Sequence, residues 1–268
     1  MELMKTIHSD LRNSDSSTSV LKISILTASL NEGTNIVIWL KNILALYKTN
    51  QINNVTEIII VDDGSTDYTI EQINEIMKTY PITIRLVQRH RKMGTVNAQI
   101  IGSFQSDNEF ILVMDCDLQH SVNEIPIFFK KLNEETDVII GSRYINGGEN
   151  IWSPYRGIIS RIATFIAHIF IAQSRGIKDP LSGYFLIKRR LICNLKPYEG
   201  FYKLLLFSLA INKNLSIIEV PVSMGKRLYG ESKVVSNPLK VIIKYLREVL
   251  IYWINGRKLN KKAILESF

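Results

Sequence analysis

The fold is decided by EIIIVDDGSTD, at residues 57–67. Its first half is a run of β-branched residues, which predicts a buried strand, and its second half is a turn rich in Gly, Ser and Asp. Similar apolar runs recur as LKISILTASL from Leu21, ITIRLVQR from Ile82 and FILVMDCD from Phe110. Amphipathic helical segments lie between them, and strands that alternate with helices predict an α/β fold with a mostly parallel central sheet.

The helical segments are predicted at about residues 34–47, 68–78 and 96–105. Later in the chain the pattern is less regular, with a strand at DVIIGSRY and an apolar helix over residues 157–173. A final helix is marked by Asn237 as N-cap, Pro238 at the first helical position and Gly256 beyond its end.

The length, composition and charge of the chain indicate a globular protein with anionic partners. With 268 residues and 46% hydrophobic residues, the chain can bury one substantial core. Its two cysteines show neither a disulfide framework nor a zinc spacing, and a reducing compartment is expected. The net charge of +8 favours anionic partners, but nucleic-acid binding is not expected because no stacking platform or known module accompanies the charge.

Acidic residues follow two of the predicted strands at their carboxyl ends, where open α/β sheets bind ligands. Asp62 and Asp63 end the first run, and the turn after them includes Asp67. This pattern has two readings, a ligand site or a strand-to-helix turn with Asp67 as the N-cap, and the residues alone leave both open.

Asp115 and Asp117 form a second acidic pair, separated by Cys116, after the run FILVM. Residues two apart on a strand project to the same side, so the carboxylates are expected side by side and Cys116 is expected to face the core. Neighbouring carboxylates repel each other unless a divalent cation bridges them, and an oxygen-only pair suits Mg²⁺ or Mn²⁺ better than Zn²⁺. For such a pair taken alone, a solvated strand end is the alternative.

Several short motifs occur in an order that resembles the catalytic half of family 2 glycosyltransferases. They are Asn31-Glu32, VDDGSTD from Val61, RHRKMGTVNAQIIG from Arg89, MDCDLQH from Met114 and GSRY from Gly141. Further motifs resemble dolichol-phosphate mannose synthases and their glucose-transferring relatives: SR at Ser160, DPLSGYF from Asp179 and KRLYGESK from Lys226. The resemblance extends from about Ile23 to Lys233.

The resemblance implies a GT-A-like nucleotide-binding sandwich as the catalytic domain, over residues 21–235. A flexible leader at residues 1–20 precedes it, and an amphipathic, membrane-proximal helix with a basic tail follows at residues 236–268. By likeness to the family, the nucleotide donor is expected to contact Ala28, Asn31, Glu32, Asp62, Asp63, Asp115, Cys116 and Gln119. Asp115, Asp117 and Gln119 are expected to hold Mg²⁺ or Mn²⁺ against the donor diphosphate. Catalytic roles are expected for Asp117 and for cations that face phosphate groups in relatives, namely Arg143, Arg161, Arg227 and Lys233.

The implied reaction is an inverting transfer of a hexose from a nucleotide sugar to a polyisoprenyl phosphate, with mannose from GDP-mannose as first choice and glucose from UDP-glucose as second. A lipid phosphate is ionised at neutral pH, so it needs positioning by cations, whereas a sugar hydroxyl needs a general base. Asp179 is the one candidate base. Transfer to a sugar hydroxyl and a non-enzymatic nucleotide-binding regulator stay as alternatives.

The final helix has an amphipathic pattern. Its charged residues, Lys240, Lys244, Arg247 and Glu248, fall on one stripe, and the rest of the helix is apolar. Such a helix needs cover from the domain's own core, a partner subunit or lipid. Some relatives continue into transmembrane helices, whereas this sequence ends at Phe268. We therefore expect a cytoplasmic protein bound peripherally to the inner face of a membrane, either directly or through a separate membrane subunit.

Overall fold

The computed structural model describes residues 21–150, 154–196, 203–226 and 242–254. Its strands are β1 (Ile23–Ser29), β2 (Val55–Asp62), β3 (Thr83–Gln88), β4 (Phe110–Val113), β5 (Val138–Ser142), β6 (Glu149–Asn150), β7 (Phe185–Lys188), β8 (Ile217–Pro221) and β9 (Ser223–Met224). Its helices are α1 (Gly33–Lys48), α2 (Thr69–Met77), α3 (Thr95–Phe104), α4 (Ile125–Lys131), α5 (Pro154–Phe170), α6 (Arg190–Cys193), α7 (Leu204–Ile211) and α8 (residues 242–254). Single 3₁₀ turns lie at Val122–Glu124 and Ala172–Ser174.

The central sheet has the strand order β3-β2-β1-β4-β7-β5-β8, and β6 pairs with β9 in a small separate ladder. Strands β3, β2, β1 and β4 are parallel to one another, as are β5 and β8. Strand β7 runs antiparallel to both of its neighbours. The predicted mostly parallel sheet is therefore confirmed. Because β7 is reversed, the turn that precedes it reaches the same sheet edge as the loops that follow the parallel strands.

Both faces of the sheet are covered, which explains why its strands are continuously apolar. In β2, Ile58 and Ile60 pack in one hydrophobic cluster with Trp39 of α1. Ile59 and Val61 point the other way, into the cluster that contains α3 and α7. The side chains alternate between two cores, as the period of two requires.

The three helices expected between the first strands are confirmed as α1, α2 and α3, and the apolar helix is α5. Strand β4 ends at Val113, so Asp115 and Asp117 lie in the loop beyond it. The prediction that they project from one side of a strand was therefore wrong, although they do lie at the carboxyl edge. The leader at residues 1–20 and the caps at Asn237 and Gly256 lie outside the described residues.

Helix α8 packs one face on the domain. Tyr252 stacks on Phe207 of α7, with ring centroids 4.7 Å apart and planes 14° from parallel. Tyr245 donates its hydroxyl to the backbone oxygen of Ala163 in α5, at 2.6 Å. Glu248 lies between these anchors and is only 2% exposed. The predicted stripe of charged residues is therefore divided, because Arg247 is exposed whereas the Glu248 carboxylate points into the protein.

Candidate active site

Asn31 ties together the loops that follow β1 and β2. Its Oδ1 accepts a hydrogen bond from the Thr66 backbone N–H, and its own N–H donates to Ser65 Oγ, both at 2.8 Å. Its φ of 52° lies in the left-handed region, which asparagine tolerates better than most residues. The next N–H, that of Glu32, donates to Thr69 Oγ1 at 2.9 Å. Asn31 and Glu32 therefore shape the rim where the nucleoside is expected.

Asp62 closes the turn after β2. Its Oδ2 accepts from the backbone N–H groups of Gly64 (3.1 Å) and Ser65 (2.8 Å), and its Oδ1 accepts from the Ser65 hydroxyl. Asp67 accepts from the Thr69 N–H at 3.1 Å, at the start of α2. The strand-to-helix turn is therefore confirmed, but the N-cap of α2 is Tyr68 and not Asp67, so that part of the prediction was wrong. A contact between Asp62 and the nucleoside stays a prediction.

Asp63 fastens the loop that follows β3. Its carboxylate accepts from the backbone N–H groups of Met93 (2.9 Å) and Gly94 (2.8 Å). It also lies 3.0 Å from Arg89 Nη1, and both side chains are nearly buried. Neither Nη1 nor Nη2 of this guanidinium has an aligned hydrogen-bond acceptor among the described residues, so the contact between Nη1 and Asp63 is held by charge. Asp63 therefore joins the loop after β2 to the loop after β3 at the carboxyl edge.

The acidic pair lies beside the turn that precedes β7. A Cβ placed on Gly183 would lie 3.5 Å from Asp115 Oδ2, so the DPLSG turn rests against this carboxylate. The Gln119 N–H donates to Asp117 Oδ1 at 3.1 Å, which orders the loop beyond the pair. Both aspartates are partly exposed. The acidic pair and the DPLSG turn thus form one continuous surface.

The Cys116 side chain faces the core, as predicted. It is 2% exposed, and its Sγ lies 3.9 Å from the backbone oxygen of Ala28. Burial raises the pKa of this thiol, and the nearby carboxylates of Glu32, Asp117 and Asp115 raise it further. The thiol therefore stays protonated, and any contact of Cys116 with a donor has to come from its backbone.

The donor set at the acidic pair fits a divalent cation that is shared with a substrate. Among the described residues, no three His, Cys, Asp or Glu side chains cluster closely enough to enclose a metal ion. Mg²⁺ commonly binds through one or two carboxylates and completes its shell with substrate phosphates and water. Asp115 and Asp117 suit that arrangement. The Gln119 side chain binds another partner, since its Nε2 donates to the Gly225 oxygen at 3.3 Å. The role of Gln119 as a metal ligand stays a prediction.

Arg143 is held by Asp179. Its Nε and Nη2 donate to the two carboxylate oxygens, each at 2.7 Å, and its backbone N–H donates to Oδ2 at 3.1 Å. Burial alone lowers the pKa of the guanidinium, but the hydrogen bonds and charge of Asp179 outweigh burial and raise it. Asp179 is fully buried. A carboxylate so enclosed and paired is not available as a general base, which removes the candidate base.

A cavity of about 450 Å³ opens beside this pair. Its lining consists of Arg143, Tyr144, Ile145, Gly148, Arg161, Thr164 and Lys178. Arg161 and Thr164 are three residues apart on α5 and therefore lie on one face of this helix. Among the residues that the structure describes, three cations and no carboxylate line this space. Arg227 and Lys233, the other two expected cations, lie outside the described residues.

Two residues near the site were missed or set aside by sequence reasoning. Lys203 precedes α7, and its Nζ donates to the Leu181 oxygen in the DPLSG turn at 3.0 Å. His120 is 4% exposed, and burial and the charge of Arg143 lower its pKa to about 3, so the imidazole is neutral. Lys203 could not be found from the sequence. The stretch FYKLLLF matches no motif, and the residues that surround Lys203 in the fold come from distant loops.

A family model described as "Glycosyl transferase family 2" matches residues 24–196. The chain belongs to glycosyl transferase family 2. This family 2 member is 33% identical to a dolichol-phosphate mannosyltransferase of Pyrococcus furiosus, over 87% of this chain and 64% of the relative. It is 31% identical to a dolichol-phosphate mannosyltransferase of Saccharomyces cerevisiae, over 72% of this chain and 73% of the relative. The chain thus spans a little under two thirds of the length of the Pyrococcus protein.

Solved structures share the fold of this family 2 member. Glucosyl-3-phosphoglycerate synthase from Mycobacterium tuberculosis, crystallised with Mn²⁺, UDP and glucosyl-3-phosphoglycerate, gives a TM-score of 0.59 at 19% identity and covers 88% of this chain and 80% of its own. A mannosyltransferase from Pyrobaculum calidifontis, in complex with GDP-mannose and Mn²⁺, gives a TM-score of 0.58 at 15% identity. The match covers 85% of this chain and 64% of the mannosyltransferase. The GT-A-like α/β sandwich expected from the sequence is confirmed.

Proposed function

We propose that the protein transfers a hexose from a nucleotide sugar to a polyisoprenyl phosphate, with mannose from GDP-mannose as the first candidate. The observation that carries this proposal is the cavity that Arg143, Arg161 and Lys178 line, and to which no described residue contributes a carboxylate. An acceptor hydroxyl needs a base to take its proton, and Asp179 is buried against Arg143. A phosphate acceptor is already anionic and needs only to be bound and oriented. A cavity whose described lining is cationic and lacks a base fits that acceptor.

The chemistry divides between the two ends of the site. At the cavity, the guanidinium of Arg161 can bind the acceptor phosphate by paired hydrogen bonds, while Arg143, whose Nε and Nη2 already donate to Asp179, orders the cavity wall. One phosphate oxygen can then attack the anomeric carbon. At the acidic pair, Asp115 and Asp117 hold Mg²⁺ or Mn²⁺, which supplies positive charge against the departing nucleoside diphosphate. Direct displacement inverts the anomeric centre and gives a β-linked lipid phosphosugar from an α-linked donor.

The relatives support the choice of sugar and acceptor. Two curated proteins about one third identical to this chain are named dolichol-phosphate mannosyltransferases. A solved mannosyltransferase of the same fold binds GDP-mannose and Mn²⁺. UDP-glucose is the second candidate donor, because another protein of this fold binds UDP and a glucosylated product.

We extend the proposal to a peripheral position on the inner face of a membrane. Apolar side chains are exposed along α5 at Ile158, Ile162, Phe165 and Ile169, and along α8 at Ile242, Ile243, Leu246, Leu250 and Ile254. The two helices are in contact, so these residues form one apolar surface, which we call the α5–α8 surface. In the part of the chain that the structure describes, every helix is too short or too polar to cross a bilayer. The α5–α8 surface therefore suits a helix pair that lies in the interface.

The geometry of α5 connects this surface to the cavity. Ile158, Ile162 and Phe165 follow one stripe of the helix, and Arg161 and Thr164 lie on the adjacent stripe that lines the cavity. A lipid whose chain lies against the apolar stripe can therefore place its phosphate in the cavity. This arrangement supports a lipid phosphate over a soluble sugar as the acceptor.

The test incubates the purified protein, Mg²⁺ or Mn²⁺ and a polyisoprenyl phosphate with radiolabelled GDP-mannose or UDP-glucose in parallel, and counts the label in the organic phase. We expect label with one donor, and no label with EDTA or in Asp117→Ala. Arg161→Gln should lower the transfer rate at least about tenfold, whereas Lys41→Gln, an exposed charge on α1, should leave the rate unchanged. Protein that binds nucleotide but labels no lipid with either donor would overturn the proposal.

A further inference from the structure

A carboxylate on strand β8 holds the peptide that leads into the DPLSG turn. Glu219 Oε2 accepts a hydrogen bond from the Lys178 backbone N–H at 2.9 Å, and Oε1 accepts one from the Asp179 backbone N–H at 3.0 Å. Two successive N–H groups that point the same way form an anion-binding concavity, and here a carboxylate of the same chain fills it. Because the accepting group is charged, both hydrogen bonds are stronger than those between neutral groups.

The two residues that Glu219 binds both contribute to the acceptor cavity. Lys178 is exposed and lines the cavity directly. Asp179 is fully buried and holds Arg143, another lining residue, through hydrogen bonds from Nε and Nη2, each at 2.7 Å. One peptide therefore places two of the three cations that line the cavity among the described residues, and Glu219 fixes that peptide.

The far side of the DPLSG turn is ordered by the turn itself and by β5. Pro180 follows Asp179, and a residue before proline is restricted to extended conformations. The Ser182 N–H donates to the Asp179 oxygen at 3.2 Å, and the Ser182 hydroxyl donates to the Gly141 oxygen at 2.7 Å. The entry to the turn has its own support from another strand, because its N–H groups donate to Glu219.

Strand packing alone does not require a glutamate at this position. Glu219 comes two residues after Ile217, so both side chains lie on the same face of the sheet, where Ile217 packs against the hydrophobic core. Strands favour β-branched and aromatic residues at such positions, and glutamate is depleted there. The two N–H groups that Glu219 binds explain its presence. Glu219 does not line the cavity itself, so it acts on an acceptor only through the residues that it places.

Resting on the proposed function, we propose that Glu219 is a positioning residue for the acceptor phosphate: by fixing the peptide between Lys178 and Asp179, it sets where Lys178 and Arg143 meet the acceptor. Strand β8 is thereby part of the acceptor site, although none of its residues lines the cavity. Without Glu219, the two N–H groups turn to water and the Lys178 backbone shifts. The loss falls mainly on the acceptor, because the nucleotide is expected at the loops that follow β1, β2 and β4.

The test measures steady-state transfer with the acceptor in detergent, so that membrane attachment does not limit the rate. Glu219→Ala should raise the KM for the polyisoprenyl phosphate about tenfold and leave the KM for the nucleotide sugar within about twofold. Glu219→Gln keeps one accepting oxygen, so its acceptor KM should lie between those of wild type and Glu219→Ala. In a Lys178→Gln background, Glu219→Ala should have a smaller effect, because one of the cations that it places is already absent.

Glu57→Ala is the matched control. Glu57 lies near the start of β2, at the opposite edge of the sheet from the site, and its carboxylate also accepts a backbone N–H, that of Asp107 at 3.0 Å. This variant should lower the melting temperature but leave the acceptor KM unchanged. The control thus separates a general loss of stability from a misplaced cavity wall. If Glu219→Ala does not fold, Glu219→Gln replaces it, because its side chain has nearly the same size as glutamate.

Direct binding separates this inference from the proposed function. Calorimetry with a short-chain isoprenyl phosphate should give a Kd about tenfold higher for Glu219→Ala than for wild type. Equal Kd values for the two proteins, or an acceptor KM that rises as much in Glu57→Ala, would overturn the positioning role. If wild type binds the isoprenyl phosphate but transfers no sugar, the proposed function has failed, and the Kd values still decide the role of Glu219. Wild type that neither binds nor transfers overturns both.

Discussion

The contribution of a single carboxylate to the stability of this protein depends on how far its side chain is exposed to solvent. Asp63 and Arg89 have side-chain exposures of 5% and 7%, whereas Glu75 and Lys78 form a pair with exposures of 73% and 66%. We expect Asp63→Ala to reduce the free energy of unfolding by about 3–5 kcal/mol, because the guanidinium of Arg89 stays buried without its counter-charge. Urea denaturation followed by circular dichroism measures this.

Glu75→Ala is the matched control, since a solvated pair contributes only about 0–1 kcal/mol. If the two variants lose the same small amount of stability, Asp63 does not hold the two loops together. At this scale the sequence predicted the aspartates but not their partners. Asp62 and Asp63 are read from their place after an apolar run, whereas the N–H groups of Met93 and Gly94 reach Asp63 only through folding.

Among the elements, α3 shows how closely a helix packs on the sheet. A Cβ on Gly102 would lie 2.4 Å from Leu26 Cδ1 and 2.8 Å from Val61 Cγ2, both buried strand residues. Gly102→Ala should therefore destabilise the protein by about 1–3 kcal/mol through overpacking. Gly157, on α5, has nothing within 4 Å of a built Cβ, and Gly157→Ala should stabilise by about 0.5–1 kcal/mol because alanine favours the helix. Thermal melting should give shifts of opposite sign, and a stable Gly102→Ala protein would contradict this packing.

The elements that could be predicted were those with a clear period. Helices α1 to α3 and strand β2 have that pattern, and their positions agree with the prediction within a few residues. Helix α7 could not be predicted because LLLFSLAI is apolar on every side, so it has no hydrophobic face to detect. The buried position of Glu248 was missed for a related reason: periodicity finds a stripe of charge but not the structure that covers it.

The molecule as a whole presents its apolar surface on one side, beside the cationic cavity. We expect the protein to float with vesicles that contain anionic phospholipid. The triple variant Ile162→Ser, Phe165→Ser and Ile243→Ser should remain in the aqueous fraction. Each large side chain contributes about 1.5–3 kcal/mol when it leaves water, which is about tenfold or more in partition. The three residues are 54%, 65% and 58% exposed.

Phe104→Ser is the control for this experiment, because Phe104 is 54% exposed but lies at the end of α3, away from the α5–α8 surface. Vesicle binding that survives the triple variant would show that another part of the chain provides attachment. The lipid-transfer rate of the triple variant should fall on vesicles but not in detergent, which separates attachment from catalysis.

The reversed strand β7 has a consequence for the spacing of substrates. It carries the DPLSG turn to the edge where Asp115 lies, and a strand advances about 3.3 Å per residue. A β7 longer by two residues would push that turn and Asp179 about 7 Å beyond the acidic pair, whereas Arg143 would stay at the end of β5. The ion pair between Arg143 and Asp179 would then be broken beside the proposed acceptor cavity. The length of one short antiparallel strand thus sets whether Asp179 can reach the arginine that it holds.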